Sequence, residues 1–340
     1  MTAVLPDFEL PPVLEASAPP AHRGAVRLLV ASPTGVTHSR FDRLGSFLEP
    51  GDLVVVNTSG TLSAAVDGSR ADGSPVTVHF ATALDDGAWV VEVRPVQHAS
   101  GPVEDLRAGE VIHLPCGVRL VPSAPRPDGQ RRLWRAMVGV EGGVVAYLAR
   151  FGRPIRYSYV RGSYPSSAYQ TVFAREPGSA EMPSAGRPFT DALVTDLATR
   201  GIGVAPITLH TGVSSQDAGE PPQPERFAIP DTTARQVNLT RAWGGRVVAV
   251  GTTVTRALES AADGDGIARA ASGWTELVLG PQRPARVVDG LITGWHAPGA
   301  SHLRLLQAVA GAELVAQAYD EALRERYLWH EFGDSCLLLP

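Results

Sequence analysis

Lysine is absent from this chain. All 30 basic residues are arginine, against 35 aspartates and glutamates, for a formal charge of −5. The arginine bias reads as a coding bias and carries no function by itself. The acidic balance argues against uniform nucleic-acid binding but leaves room for a local basic face. Cysteine is scarce: Cys116 and Cys336 are the only two, with no metal-type Cys/His spacing and no disulfide framework. No apolar run approaches membrane-spanning length. The N-terminal segment, with Asp7, Glu9 and Glu15 among prolines, holds no apolar signal core. These absences predict a cytoplasmic protein, off the membrane and without a metal; a monomer is expected. Also missing are a Walker-type phosphate loop, a nucleophile elbow, a zinc histidine pair and a G-x-G-x-x-G between strand and helix. The run Asp263-Gly264-Asp265-Gly266 lacks the later acidic ligands of a calcium loop and reads as a turn.

What is present centres on residues 246–260, RVVAVGTTVTRALES. Arg246 to Val250 is a short β-branched run that reads as a buried strand. Gly251 breaks it, and Thr252 and Thr253 carry hydroxyls suited to starting a helix. Val254, Ala257, Leu258 and Ala261 then recur at helical spacing. A strand that passes through Gly-Thr-Thr into a helix offers free backbone N–H groups and two hydroxyls at one point, suited to a carboxylate, phosphate or ribose. The bland reading is an ordinary threonine-capped junction.

The 340 residues hold two ordinary domains, or one large domain with an insertion. Residues 1–24 read as an extended, proline-rich surface segment. Strands are expected at Arg27–Val30 and Leu53–Val56, with a short helix through Phe41, Leu44 and Leu48 between them. From residue 62 to 143 short β-branched runs recur between Gly/Asp/Pro turns: Val76–Phe80, Trp89–Val93, Val111–Leu114, Val118–Val121 and Leu133–Val138. This texture predicts a small antiparallel barrel inserted into an α/β body. The fold class expected is therefore mixed α/β, with a body of residues 1–61 and 144–340 and an inserted barrel at 62–143. Residues 119–161 hold nine arginines against Asp128 and Glu141. Arg131, Arg132, Arg135, Arg153 and Arg156, with Tyr157, Tyr159 and Tyr164 close by, suit phosphate contacts and base stacking as well as they suit a solvated face.

Beyond residue 165 the chain alternates again. A helix around Leu193 and Leu197 precedes a strand Gly203–Leu209 ending at His210-Thr211-Gly212. Residues 214–230 read as one long loop of functional type. A strand Val287–Thr293 ends at Gly294-Trp295-His296, a single helix follows from Ser301 to Tyr327, and a last strand covers Leu337–Leu339. Four strands thus end in polar residues: Asn57-Thr58, His210-Thr211, Gly251-Thr252-Thr253 and Thr293 to His296. Ligands of α/β folds sit at such carboxyl ends.

Several of these runs resemble one family. Ala168-Tyr169-Gln170-Thr171-Val172-Phe173-Ala174, Gly178-Ser179 and Pro183-Ser184-Ala185-Gly186 look like the signature of the queuosine-pathway S-adenosylmethionine:tRNA ribosyltransferase-isomerases. So do Asp7 to Pro11, Pro50 to Leu53, Thr208-Leu209-His210, Ala249 to Thr253 with Arg256 and Glu259, Asp289 to Thr293, and Gly333-Asp334. The resemblance runs over 5–60 and 165–340 and is weak across the insert. It implies transfer of the ribosyl part of S-adenosylmethionine to a 7-aminomethyl-7-deazaguanine base in tRNA. Adenine and methionine leave, and the sugar rearranges to an epoxycyclopentanediol. S-adenosylmethionine is then the ribosyl-donor cosubstrate and tRNA the partner. Such chemistry needs a base beside the sulfonium and an acid for adenine. The resemblance and strand-end placement point to His210 as base and His296 as acid. Asn57 and Asp334 orient them, and Tyr169, Gln170, Thr252, Thr253, Arg256 and Glu259 bind. Where the family reads Asn-Asp-Thr-Arg-Val-Ile-Pro-Ala-Arg, this chain has Asn57 to Ala65 without either arginine. The family's His-rich loop retains only Glu225. The alternatives are a diverged transferase acting on another nucleobase or small molecule, and a non-catalytic RNA-binding relative.

Overall fold

In the computed structural model, which describes residues 8–96, 101–127, 129–213 and 222–340, one nine-stranded mixed sheet carries the α/β body. From edge to edge its strands are Ala271–Thr275, Glu225–Ile229, Gly203–His210, Leu53–Asn57, Val247–Val250, Gly290–Thr293, Ser335–Leu338, Arg27–Ser32 and Gly35–Arg40. Leu53–Asn57 is apolar throughout because both faces of the sheet are covered. Leu53 and Val55 join one core cluster while Val54 and Val56 join another. Helices Thr252–Ser260, His302–Ala310 and Ala312–Arg324 pack on the first face; helix Asp191–Thr199 and Phe189 pack on the second.

Gly203–His210, Leu53–Asn57, Val247–Val250 and Gly290–Thr293 are neighbours and mutually parallel. Their carboxyl ends therefore lie on the same edge. Ser335–Leu338 runs antiparallel to Gly290–Thr293 and parallel to Arg27–Ser32, so the starts of these two strands reach that edge as well.

Residues 65–139 form six antiparallel strands that close on themselves: Leu133–Gly139, Trp89–Pro95, Pro75–Ala83, Ala65–Ser69, Ile112–His113 and Arg119–Pro125. Val78, Phe80, Val91, Ile112 and Leu120 fill the interior. Helix Val144–Phe151 adds Tyr147 and Leu148 to this cluster, so the ring's packing extends past residue 143. The chain enters the ring from Ser59–Thr61 and, on returning, Glu176–Ser179 pairs with that same strand.

The structure departs from the sequence expectations at definite places. The helix expected over 301–327 is two helices, broken at Gly311 with φ of 76°. The loop expected at 214–230 includes the strand Glu225–Ile229; residues 214–221 lie outside the described residues. The strand expected from Val287 begins only at Gly290. Near the N-terminus, Leu14 and Ala16 are buried rather than laid along the surface.

Candidate active site

Asn57 is the hinge pin of the edge. Its carbonyl oxygen accepts from the backbone N–H groups of Ser59 and Leu209, and its amide donates to the Leu209 carbonyl at 2.8 Å and to Thr253 Oγ1 at 3.5 Å. One side chain thus joins two strand ends to the start of helix Thr252–Ser260. That helix begins at Gly251, whose φ of 92° excludes most side chains, and no side chain caps it. Its first N–H groups open at the edge beside Thr253 Oγ1, which Asn57 reaches, and an anion is favoured there.

His210 closes the strand beside Asn57. Its Nδ1 lies 2.8 Å from Ser59 Oγ, which lies 2.6 Å from Ser179 Oγ; the Thr211 N–H donates to Ser179 Oγ. Burial and then the charge of Arg226 lower the His210 pKa, with Glu176 opposing. His210 therefore rests neutral. A Cβ at Gly178 would come within 2.4 Å of its Nδ1, so the imidazole lies directly on that backbone.

His296 follows Thr293, with Nε2 3.0 Å from Thr293 Oγ1, and its ring stacks on His302 at 4.5 Å. Burial, with His302 and His330 nearby, holds its pKa well below the usual value. The imidazolium expected of an acid is thus not its resting form. His302 is held down to about 4 by burial and Arg256.

The other expected residues divide into two groups. Arg256 reaches the edge, where it is buried and paired with Glu225 while donating to the carbonyls of Thr275, Leu277 and Gln223. Burial raises Glu225 to about 7 in spite of Arg256. Asp334 also stands at the edge, but its carboxylate accepts from the backbone N–H groups of Arg27 at 2.7 Å and Leu328 at 2.8 Å. Glu259 lies two helical turns below and accepts from the N–H groups of Arg286, Val287 and Val288. Both are structural clamps. Gln170 holds Thr61 in the same way, accepting from its N–H and donating to its carbonyl. Tyr169 is buried against Phe332.

Of the arginines, Arg132 is buried beside Glu92. Arg135 pairs with Asp86, Arg153 with Asp67, and Arg156 donates to the Gly162 carbonyl; Arg131 is exposed.

Sequence reasoning missed Ser59 and Ser179, whose role exists only across 120 residues of separation. It also missed Glu331, whose Oε1 is buried without a hydrogen-bond partner among the described residues. Burial, then Glu181, raises its carboxyl to about 8 against the opposing charge of Arg187. Nearby, Tyr157, Tyr159 and His330 stack in series. A narrow crevice with a cavity volume of only about 20 Å³ lies between ring and body, lined by Thr82 and Val90 on one side and Gly212, Gln223 and Trp274 on the other.

Comparison with known proteins settles the ancestry. A family model described as queuosine biosynthesis protein matches residues 6–338. This chain belongs to that family. The S-adenosylmethionine:tRNA ribosyltransferase-isomerase of Moorella thermoacetica is 35% identical over 350 residues, covering 98% of each chain. The enzyme of the same description from Azoarcus sp. is 35% identical over 342 residues, covering 98% of this chain and 96% of that one. A crystal structure of S-adenosylmethionine tRNA ribosyltransferase from Thermotoga maritima superposes with a TM-score of 0.55 at 27% identity, covering 98% and 99% of the two chains. The resemblance read from scattered motifs thus extends across the insert, and membership of the queuosine biosynthesis family makes this chain an enzyme of that kind. Among the described residues no helix is long and apolar enough to cross a membrane, and no group of three or more His, Cys, Asp or Glu could hold a metal.

Proposed function

We infer that this chain transfers and isomerises the ribosyl group of S-adenosylmethionine onto a 7-aminomethyl-7-deazaguanine base in tRNA, forming epoxyqueuosine. One observation supports this above the rest: His210, Asn57, Gly251 and Thr293 end four adjacent strands on the same edge. Neighbouring strands are roughly 4.8 Å apart, so the four strands span about 14 Å across the sheet, with His210 three residues beyond the level of Asn57, room for a sulfonium nucleoside. The uncapped helix start at Thr252 and Thr253 suits the methionine carboxylate, and Asn57 holds the His210-bearing strand end against that helix start.

The departing adenine needs a proton, and neither histidine rests protonated. Glu331 does, because its carboxyl titrates near 8; it is the better candidate acid. The base beside the sulfonium must be neutral at rest, as both histidines are.

We read residues 62–143 as an inserted barrel domain beside a body of 1–61 and 144–340, with tRNA approaching the cleft between them. Phosphates would fall to Arg131, Arg135, Arg153 and Arg156, since exposed ion pairs of the Arg153–Asp67 kind are worth about 0–1 kcal/mol and exchange readily. Arg132, buried with Glu92, stays out of that set. The protein acts as a cytoplasmic monomer in this reading.

Incubation with S-adenosylmethionine and tRNA bearing the precursor base tests the reaction. Stoichiometric release of adenine and methionine, dependent on tRNA, is expected; release of neither would overturn it.

A further inference from the structure

Three polar atoms at the site form a chain with two links: Ser179 Oγ to Ser59 Oγ at 2.6 Å, and Ser59 Oγ to His210 Nδ1 at 2.8 Å. Each link holds one proton. The two hydroxyls bring two protons, so the chain is complete when Nδ1 brings none. Ser179 then donates to Ser59, Ser59 donates to Nδ1, and Ser179 Oγ accepts the Thr211 N–H at 3.0 Å. If Nδ1 carried a proton, three protons would compete for two links. One O–H would point at nothing, in a place where Ser59 is 1% and Ser179 0% exposed. A buried donor without an acceptor is among the costlier defects a fold can hold.

We propose that Ser59 and Ser179 are positioning residues that lock His210 in the neutral form protonated on Nε2, so that the imidazole meets its substrate as a hydrogen-bond donor and not as the base. Nε2 has no hydrogen-bond partner among the described residues, which leaves its N–H for a ring nitrogen or hydroxyl of the nucleoside. Gly178 fixes the direction, since the ring rests on its backbone and cannot turn over without lifting away. The lone pair that accepts the proton beside the sulfonium must then belong to another group. His296 supplies one: Thr293 Oγ1 donates to the Gly294 carbonyl and accepts from His296 Nε2, leaving Nδ1 bare. The donor role rests on the reaction inferred above; the protonation pattern does not.

The test is a nitrogen NMR spectrum of the whole protein labelled with ¹⁵N-histidine, the His210 signals identified by their loss in His210→Gln. At neutral pH, a bare Nδ1 and a protonated Nε2 are expected, and a neutral ring protonated on Nδ1 would overturn the proposal. Two variants examine the proton count. Ser59→Ala removes both links and should release a mixture of the two neutral forms. Ser179→Ala leaves one proton for one link and should keep the single form. An unchanged spectrum in Ser59→Ala would overturn the positioning role. The donor role is read by adenine release. His210→Ala should lose about 10²-fold or more, while His210→Gln, which places an amide N–H near the Nε2 position, should stay within about tenfold of the parent. Equal loss in both variants would overturn the donor role. A parent protein that releases no adenine would instead count against the reaction, and the spectrum would still be readable.

Discussion

Glu331 sets a pH signature for the folded protein. Its carboxyl titrates near 8 in the fold and near 4.5 when unfolded. Between those values the folded state holds a proton that the unfolded chain has lost, so stability falls as pH rises through this window. Glu331→Gln removes the penalty. The variant should be more stable than the parent at pH 8.5, by the order of a few kcal/mol, and nearly alike at pH 5; matched denaturant titrations at the two values check this. If Glu331 is also the acid, the same variant should lose adenine release even where it is more stable. Arg256 behaves differently. Its removal leaves Glu225 buried without a counter-charge, and Arg256→Ala should cost about 3–5 kcal/mol in denaturant titration. At this scale the sequence was legible where a residue ends a strand. Asn57, His210, Thr253 and His296 were found because a polar group after an apolar run has few other reasons to be there. Ser59 and Ser179 were not, because a serine acquires meaning only from what lies opposite it. Asp334 and Glu259 carried the family pattern but spend their carboxylates on backbone N–H groups.

Among the elements, the Glu176–Ser179 strand is the most sensitive. Gly178→Ala would drive a methyl into the His210 ring. A displacement near 1 Å costs about 10²-fold in rate, so adenine release should fall by that order while the melting temperature moves little. Asp334→Ala should show the reverse, losing about 2–3 kcal/mol with the two N–H contacts, measured by denaturant titration, and acting on turnover only through the unfolded fraction. Elements were readable when one face was apolar. Helix Asp231–Ala242 escaped notice because only Thr233, Ala234 and Val237 are buried in a polar run. Strand Gly35–Arg40 is an edge strand with no fully buried residue, so it lacks the alternation that marks a strand. The break at Gly311 hid inside a continuous apolar period, since the helices on either side of it both face the same core.

For the whole molecule, the mixed α/β class and the β-rich stretch within it were legible because their textures differ. One is apolar run and helix in alternation; the other is short strand and turn. What no local pattern conveyed was strand order. Ser335–Leu338 does not finish the sheet at a margin; it lies between Gly290–Thr293 and Arg27–Ser32, with Cys336, Leu337 and Leu338 each at or below 1% exposed. The hairpin of residues 27–40 reaches the other strands of the sheet only through it. During synthesis, then, the first hairpin to leave the ribosome waits for a wedge made some three hundred residues later, and a product lacking that last strand holds a two-stranded hairpin apart from the other six strands, each with a bare edge. Such a fragment exposes unpaired strand edges, the places where misassociation and proteolytic attack begin.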